Sequence, residues 1–171
     1  KEHDWQQNVK PQTARAMIST AKNELNTPGT YAAQAGSETE FFVSQVFREY
    51  ERALRAANAV DFDDLLLKVI ELLRLSEHTR SFYQQQFLHV LVDEYQDTNK
   101  AQYALTTLWA APHNNLFVVG DFCQSIYSWR GADFRNMLEM KKDFVDQKEY
   151  RLEQNYRSTQ TILDAASTVI G

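Results

Sequence analysis

Two short apolar runs, each ending in an acid, constrain this chain more than any other feature. Phe87-Leu88-His89-Val90-Leu91-Val92 leads into Asp93-Glu94, and Leu116-Phe117-Val118-Val119 leads into Gly120-Asp121. Continuous apolar runs of this length, without the alternation of a half-solvated strand, predict strands buried on both faces of a parallel sheet. Between them, Lys100 to Ala110 carries Tyr103, Leu105 and Leu108 at helical spacing. Strand, helix, strand with such a connection is a right-handed βαβ unit. In open α/β sheets ligands sit beyond the carboxyl ends of the strands, which is where these acids stand.

The sequence before the first run is helical. Thr13 to Leu25 predicts a short helix stopped by Asn26-Thr27-Pro28-Gly29, a dense turn signal. Ser37 with Glu40 forms a capping-box pattern ahead of Phe42, Val43, Val46, Phe47, Tyr50 and Leu54. Asp61 can cap a third helix bearing Leu65, Leu66, Val69, Leu72 and Leu73, and residues 77–86 form a further amphipathic piece. Beyond the second run, 133–144 and 159–170 are expected as helices and 149–152 as a weak strand. The expected organisation is an all-helical portion over residues 1–59 and an α/β portion over 60–171, in which strands and helices alternate.

Charge and cysteine usage narrow the partners. The 171 residues hold 23 acidic and 18 basic side chains, for a net charge of −5, and acids outnumber bases in both halves. A nucleic-acid partner therefore needs a local site rather than a basic field. Cys123 is the only cysteine, so there is neither an internal disulfide nor a CxxC metal knuckle, and a reducing compartment fits. It is expected as a small buried side chain. No apolar run approaches the ~18 residues of a membrane span, and no membrane partner is expected. His3, His78, His89 and His113 are dispersed without ligand spacing, and His89 is expected in the core. Lys141-Lys142 suits a solvated helix face, and Asp63-Asp64 suits the charge at a helix N-terminus.

The acids at the strand ends suit metal–phosphate chemistry. A carboxylate at the position of Asp93 can hold Mg²⁺, and Glu94 can take a proton from an attacking water. The competing reading is that Asp93 or Asp97 caps the following helix. None of the five glycines (Gly29, Gly36, Gly120, Gly131, Gly171) forms a phosphate-cradling Gly-x₄-Gly-Lys-Ser/Thr loop. Either the pair is not an NTPase element, or that loop precedes Lys1. The chain starts at Lys rather than Met and stops at Gly171 directly after a helical pattern. It is therefore expected to be an excerpt of a longer protein. Tyr127 and Trp129, two aromatics at i and i+2 followed by Arg130 in a polar loop, suit stacking on exposed bases, and a core placement is the alternative.

Three longer strings run in order: Asp93-Glu94-Tyr95-Gln96-Asp97-Thr98-Asn99, then Val118-Val119-Gly120-Asp121-Phe122-Cys123-Gln124-Ser125-Ile126-Tyr127-Ser128-Trp129-Arg130-Gly131-Ala132-Asp133, then Leu152-Glu153-Gln154-Asn155-Tyr156-Arg157-Ser158. In order and spacing they resemble motifs II, III and IV of the UvrD/PcrA/Rep-type superfamily 1 DNA helicases. Asp61-Phe62-Asp63-Asp64-Leu65-Leu66 resembles that family's return from its helical 1B insertion into the first RecA-like domain. The resemblance implies part of a RecA-like P-loop NTPase domain, a parallel sheet with flanking helices, preceded by a 1B-like helical portion. It implies ATP and Mg²⁺ as cofactors, and single-stranded DNA and single-strand/duplex junctions as partners, together with the remaining helicase domains in cis. A cytoplasmic, nucleoid-associated location follows for a bacterial protein, and a nuclear or organellar one for a eukaryotic protein.

The same resemblance assigns roles by position. Asp93 would hold the metal and Glu94 would activate water. Gln96 would link the nucleotide site to neighbouring motifs, and Gln124 would sense the γ-phosphate. Arg157 would act as an arginine finger and Tyr156 would stack on the base. Tyr127, Trp129 and Arg130 would contact DNA. Movement would run 3′→5′, and the 171 residues alone are expected to be inactive. At Cys123 the family commonly carries an acid, so one charge of motif III is lost here. The rival expectations are a non-catalytic helicase-like module that binds DNA or protein, and the motor part of a helicase–nuclease subunit. A small-molecule phosphotransfer enzyme would leave Tyr127, Trp129 and Tyr156-Arg157 unexplained.

Overall fold

A computed structural model describes residues 9–127, 132–133 and 135–170. Five helices come first: α1 (Pro11–Asn23), α2 (Pro28–Gln34), α3 (Glu38–Ala56), α4 (Phe62–Leu75) and α5 (Glu77–Gln86). Strand β1 (Val90–Val92), helix α6 (Lys100–Ala110) and strand β2 (Leu116–Val118) follow, and then α7 (Arg135–Asp143) and α8 (Gln160–Ile170). The helix starts are set by side chains that satisfy otherwise orphaned backbone N–H groups. Asp61 accepts from the Asp64 N–H at 2.8 Å, while Asp64 accepts from the Asp61 N–H at 3.2 Å. Asn99 and Gln102 form the same reciprocal pair at α6, while Ser37 and Ser76 cap α3 and α5 by accepting from the Glu40 and Thr79 N–H groups.

The turn at Asn26–Gly29 does more than stop α1. Pro28 occupies the first turn of α2, where a missing N–H costs nothing. Thr27 and Thr30 exchange a reciprocal capping pair at 2.8 and 3.1 Å. This helix is absent from the sequence expectation because Pro-Gly is the stronger cue for a turn.

Two apolar clusters form the core. Ala14, Ile18 and Ala21 of α1 meet Val43 and Phe47 of α3. Ile70 and Leu73 of α4 meet Ala101 and Leu105 of α6. Burial of each large member contributes about 1.5–3 kcal/mol. The clusters are joined by Lys22 near the end of α1, which is only 1% exposed.

β1 and β2 are parallel, with Val90 opposite Leu116, Leu91 opposite Phe117 and Val92 opposite Val118. The βαβ expectation holds, and α6 starts and ends where its sequence predicts. The strands are shorter than their apolar runs and are not buried on both faces. Leu91 is 72% exposed and Phe117 58% exposed, because among the described residues nothing packs on their side of the two-stranded sheet. Phe87 and Leu88 have no partner in register, since the ladder begins where β2 begins. His89 is exposed rather than in the core, for the same reason. Residues 149–152 form no strand, and Tyr150 and Leu152 are exposed, with no neighbouring strand to supply a ladder.

Candidate nucleotide site

The site lies at the carboxyl end of β1. Asp93 is exposed, and its Oδ1 accepts from the Glu94 N–H at 2.9 Å. Glu94 itself sits at φ 50°, ψ 44°, in the left-handed region. A non-glycine residue held there costs on the order of 1 kcal/mol and persists only where the surroundings enforce it, most often at functional sites. Here they do: the Tyr95 N–H donates to Val119 O at 2.9 Å, and a single 3-10 turn over Tyr95–Asp97 follows at once.

Gln96 joins the two strand ends. Its side chain is buried, Nε2 donates to Glu94 Oε2 at 2.8 Å, and Oε1 accepts from the Asp121 N–H at 3.0 Å. Asp121 then accepts from the Cys123 N–H through Oδ1 and from Gln124 Nε2 through Oδ2, both at 2.9 Å. One amide thus connects the carboxylate after β1 to the acid after β2, and through it to Gln124. Glu94 keeps its second carboxylate oxygen unengaged among the described residues.

Gly120 makes this bridge possible. A Cβ at that position would lie 2.8 Å from Gln96 Oε1, 3.2 Å from Gln96 N and 3.3 Å from Tyr95 N. Gly120→Ala is therefore expected to displace Gln96 and destabilise the fold by about 1–3 kcal/mol, the usual cost of overpacking. The check is a lower urea midpoint with an unchanged slope; a midpoint at the wild-type value would show that the bridge can give way freely.

Behind the site, Thr98 O accepts from the Asp133 N–H at 3.0 Å and from Asn136 Nδ2 at 2.8 Å, which ties the start of α7 to the end of the 3-10 turn. Tyr95 is fully buried, and its hydroxyl has no hydrogen-bond partner among the described residues. Burial, with the Asp143 carboxylate second, pushes its phenol up to about 12. Tyr103 donates to the same Asp143, and burial and that bond raise its phenol as well.

The structure brings Asp93, Glu94, Gln96, Asp121 and Gln124 together. Tyr127 is exposed, and its carbonyl accepts from the Ala132 N–H at 3.3 Å. Trp129 and Arg130 lie outside the described residues. Tyr156 is 92% exposed, and the Arg157 N–H donates to the neighbouring Asn155 Oδ1. Among the described residues, no hydrogen bond or ion pair ties Tyr156 or Arg157 to the Glu94–Gln124 group. Cys123 is exposed rather than buried, because it sits in the turn that follows the open end of β2.

The donors fit a magnesium ion held partly by substrate. Among the described residues, no three of the His, Cys, Asp and Glu side chains converge as a closed metal cage. Asp93 is an accessible, hard oxygen donor at a strand end, and Mg²⁺ typically takes one or two carboxylates and completes its shell with phosphates and water.

Sequence reasoning missed the carboxylate ring around Lys22. Glu51, Asp61 and Asp64 lie 2.7, 2.7 and 2.8 Å from Nζ. No local pattern announces partners so distant in the chain, although Asp61 and Asp64 form an acidic pair with no base in the first turn of their helix. The Asn99/Gln102 capping box at the start of α6 was also missed, although its signal, a cap residue three positions before a glutamine, is local.

Residues 1–145 match the family model for the UvrD/REP helicase N-terminal domain. The chain is 48% identical over 160 residues to the ATP-dependent DNA helicase PcrA of Leuconostoc citreum, covering 94% of this chain and 21% of that protein. It is equally similar, at 48% over 153 residues, to the PcrA helicases of Staphylococcus epidermidis and Staphylococcus aureus, covering 90% of this chain and 21% of each. It thus spans about a fifth of the length of the curated relatives it matches. With the family model covering most of its length, the chain belongs to the UvrD/REP helicase family.

Proposed function

We propose that this chain is part of an ATP-dependent DNA helicase in which hydrolysis of ATP drives movement along single-stranded DNA in the 3′→5′ direction. Residues 60–171 belong to the second part of a RecA-like domain and residues 1–59 to a 1B-like helical portion. The observation that carries the reading is the Gln96 bridge, which holds Glu94 and Asp121 in one hydrogen-bonded unit at the ends of adjacent parallel strands.

In this reading Glu94 is the general base. Gln96 fixes one carboxylate oxygen, and the other accepts a proton from the water that attacks the γ-phosphate. Asp93 would hold Mg²⁺, and the ion would offset the negative charge that develops on the phosphates of ATP. Gln124, held by Asp121, can donate to the γ-phosphate through its amide. Tyr156 stacks on the base and Arg157 steadies the transferring phosphoryl group. Tyr127, Trp129 and Arg130 grip single-stranded DNA at a junction with duplex by stacking, which needs no net positive charge. The site is incomplete without the remaining helicase domains, so the 171 residues alone turn over no ATP.

The test is ATP hydrolysis by the full-length protein with and without single-stranded DNA. Stimulation by DNA is expected, and Trp129→Ala should reduce both the stimulation and the affinity for single strands, by about tenfold for the loss of one stacked base. DNA affinity and stimulation both unchanged in that variant would remove the stacking assignment. Full turnover by the isolated 171 residues would overturn the division of the site between domains.

A further inference from the structure

We propose that Asn23 on α1 and Asn99 at the start of α6 form a positioning contact that sets the helical portion against the Asp93–Thr98 segment and tunes how strongly DNA stimulates turnover. This rests on the reading of the chain as part of a DNA-stimulated ATPase.

Asn99 Nδ2 donates to Asn23 Oδ1 at 2.7 Å, across 76 positions of sequence. The Asn23 amide is oriented at its other end, where Nδ2 donates to Ser19 O at 2.9 Å and to Asp63 Oδ1 at 3.3 Å. Its neighbour Lys22 fixes the same turn of α1 to α3 and α4 through Glu51, Asp61 and Asp64. The end of α1 is therefore a firm base rather than a loose partner.

Asn99 does more than a cap requires. Its Oδ1 accepts from the Gln102 N–H at 2.8 Å, which satisfies α6. Serine, threonine or aspartate would cap as well with an oxygen alone. The side-chain amide adds a donor, and that donor is used on Asn23. Asn99 also follows Thr98, whose carbonyl holds Asp133 and Asn136 and whose hydroxyl donates to Tyr95 O at 2.7 Å. Two connections meet at this point of the backbone. One leads back through the 3-10 turn to Gln96 and Glu94, and the other leads to the segment that follows Tyr127 and Trp129 in sequence. Loss of the Asn23–Asn99 bond lets the start of α6 shift against α1 while every group of the nucleotide site stays in place.

The experiment uses the full-length protein with Asn23→Ala, Asn99→Ser, Asn99→Ala and the Asn23→Ala/Asn99→Ser double variant. Serine keeps the cap and is too short to reach Asn23. For each variant, kcat is measured at saturating and at zero single-stranded DNA, along with KM for ATP and the melting temperature. Asn23→Ala and Asn99→Ser should each lower the DNA stimulation about threefold to tenfold, the range for one hydrogen bond, with basal kcat and KM unchanged. The double variant should be no worse than either single one, since both remove the same bond. Wild-type stimulation in Asn23→Ala and Asn99→Ser, with a loss confined to Asn99→Ala, would overturn the proposal and leave Asn99 a cap only. Additive losses in the double variant would overturn it too. Glu94→Gln serves as the control: if it retains turnover, the nucleotide-site reading has failed, whereas an inactive Glu94→Gln beside unaffected asparagine variants sinks the contact alone.

Discussion

Glu94→Gln in the full-length protein is expected to lower ATP turnover by about 10²–10⁴-fold while leaving ATP affinity nearly unchanged, the range for losing a general base. The geometry makes this a clean substitution. Glutamine matches glutamate in shape, and its amide oxygen can still accept from Gln96 Nε2, which in the wild-type protein donates to Glu94 Oε2 at 2.8 Å. The bridge to Asp121 and Gln124 should therefore survive. The left-handed backbone at φ 50° is no more costly for glutamine than for glutamate, so the melting temperature should hardly move. What is lost is the capacity to take a proton. Steady-state and single-turnover hydrolysis, with nucleotide binding measured alongside, separate these effects. Turnover within about twofold of wild type would remove Glu94 from the chemistry and leave it a structural partner of Gln96.

The parts of this fold that were legible in the sequence are those fixed by local chemistry. Asp61, Ser37 and the Lys100–Ala110 helix stand where capping and apolar spacing put them, because a cap and its helix lie within one turn of chain. The strands were legible in direction and order but not in extent, since a ladder ends where its partner ends rather than where the apolar run does. Burial was the least legible. Leu91 and Phe117 look like core residues, yet their face of the sheet is open among the described residues. Within the site, the motif strings marked Asp93, Glu94, Gln96 and Gln124, and the structure joins them. The joining itself depends on the close approach of Gly120 to Gln96, which no spacing rule encodes. Lys22 was illegible for a related reason: a lysine at the end of an amphipathic helix looks solvated until carboxylates from two other helices close around it.

That lysine is the basis of the second large expectation. Lys22→Met should destabilise the packing of α1 on α3 and α4 by about 3 kcal/mol or more, the cost of removing one partner from a buried ion-pair cluster. Methionine nearly matches the length of lysine and can still fill the space beside Phe47, so the loss is electrostatic rather than a cavity. It leaves Glu51, Asp61 and Asp64 facing one another without a cation.

The pH dependence gives the expectation its sign. In the wild-type protein burial alone would lower the Lys22 ammonium, but its bonds to Asp61, Asp64 and Glu51 outweigh burial and raise it above its ordinary 10.5. That contribution is complete below the ordinary lysine value and fades only as pH rises through the raised one. Burial likewise works against ionisation of Asp61, but the Lys22 hydrogen bond and charge, the Asp64 N–H and the Tyr50 hydroxyl together outweigh it, so its carboxyl lies below the ordinary 3.8. The carboxylate contribution is complete above that ordinary value and is lost as pH falls through the lowered one. The wild-type cluster therefore holds across the neutral range. In Lys22→Met the three carboxylates repel, their proton affinities rise, and the folded state binds more protons than the unfolded chain. The variant should thus gain stability as pH falls from 7 toward 5, a range in which the Lys22–Asp61 pair of the wild-type protein stays fully ionised. Amide exchange of α1 and α4 in the full-length protein reads both effects: roughly a hundredfold faster opening at neutral pH, and partial recovery on acidification. Faster opening without that recovery would mean that Lys22 contributes through packing alone, and that the three carboxylates tolerate one another without it.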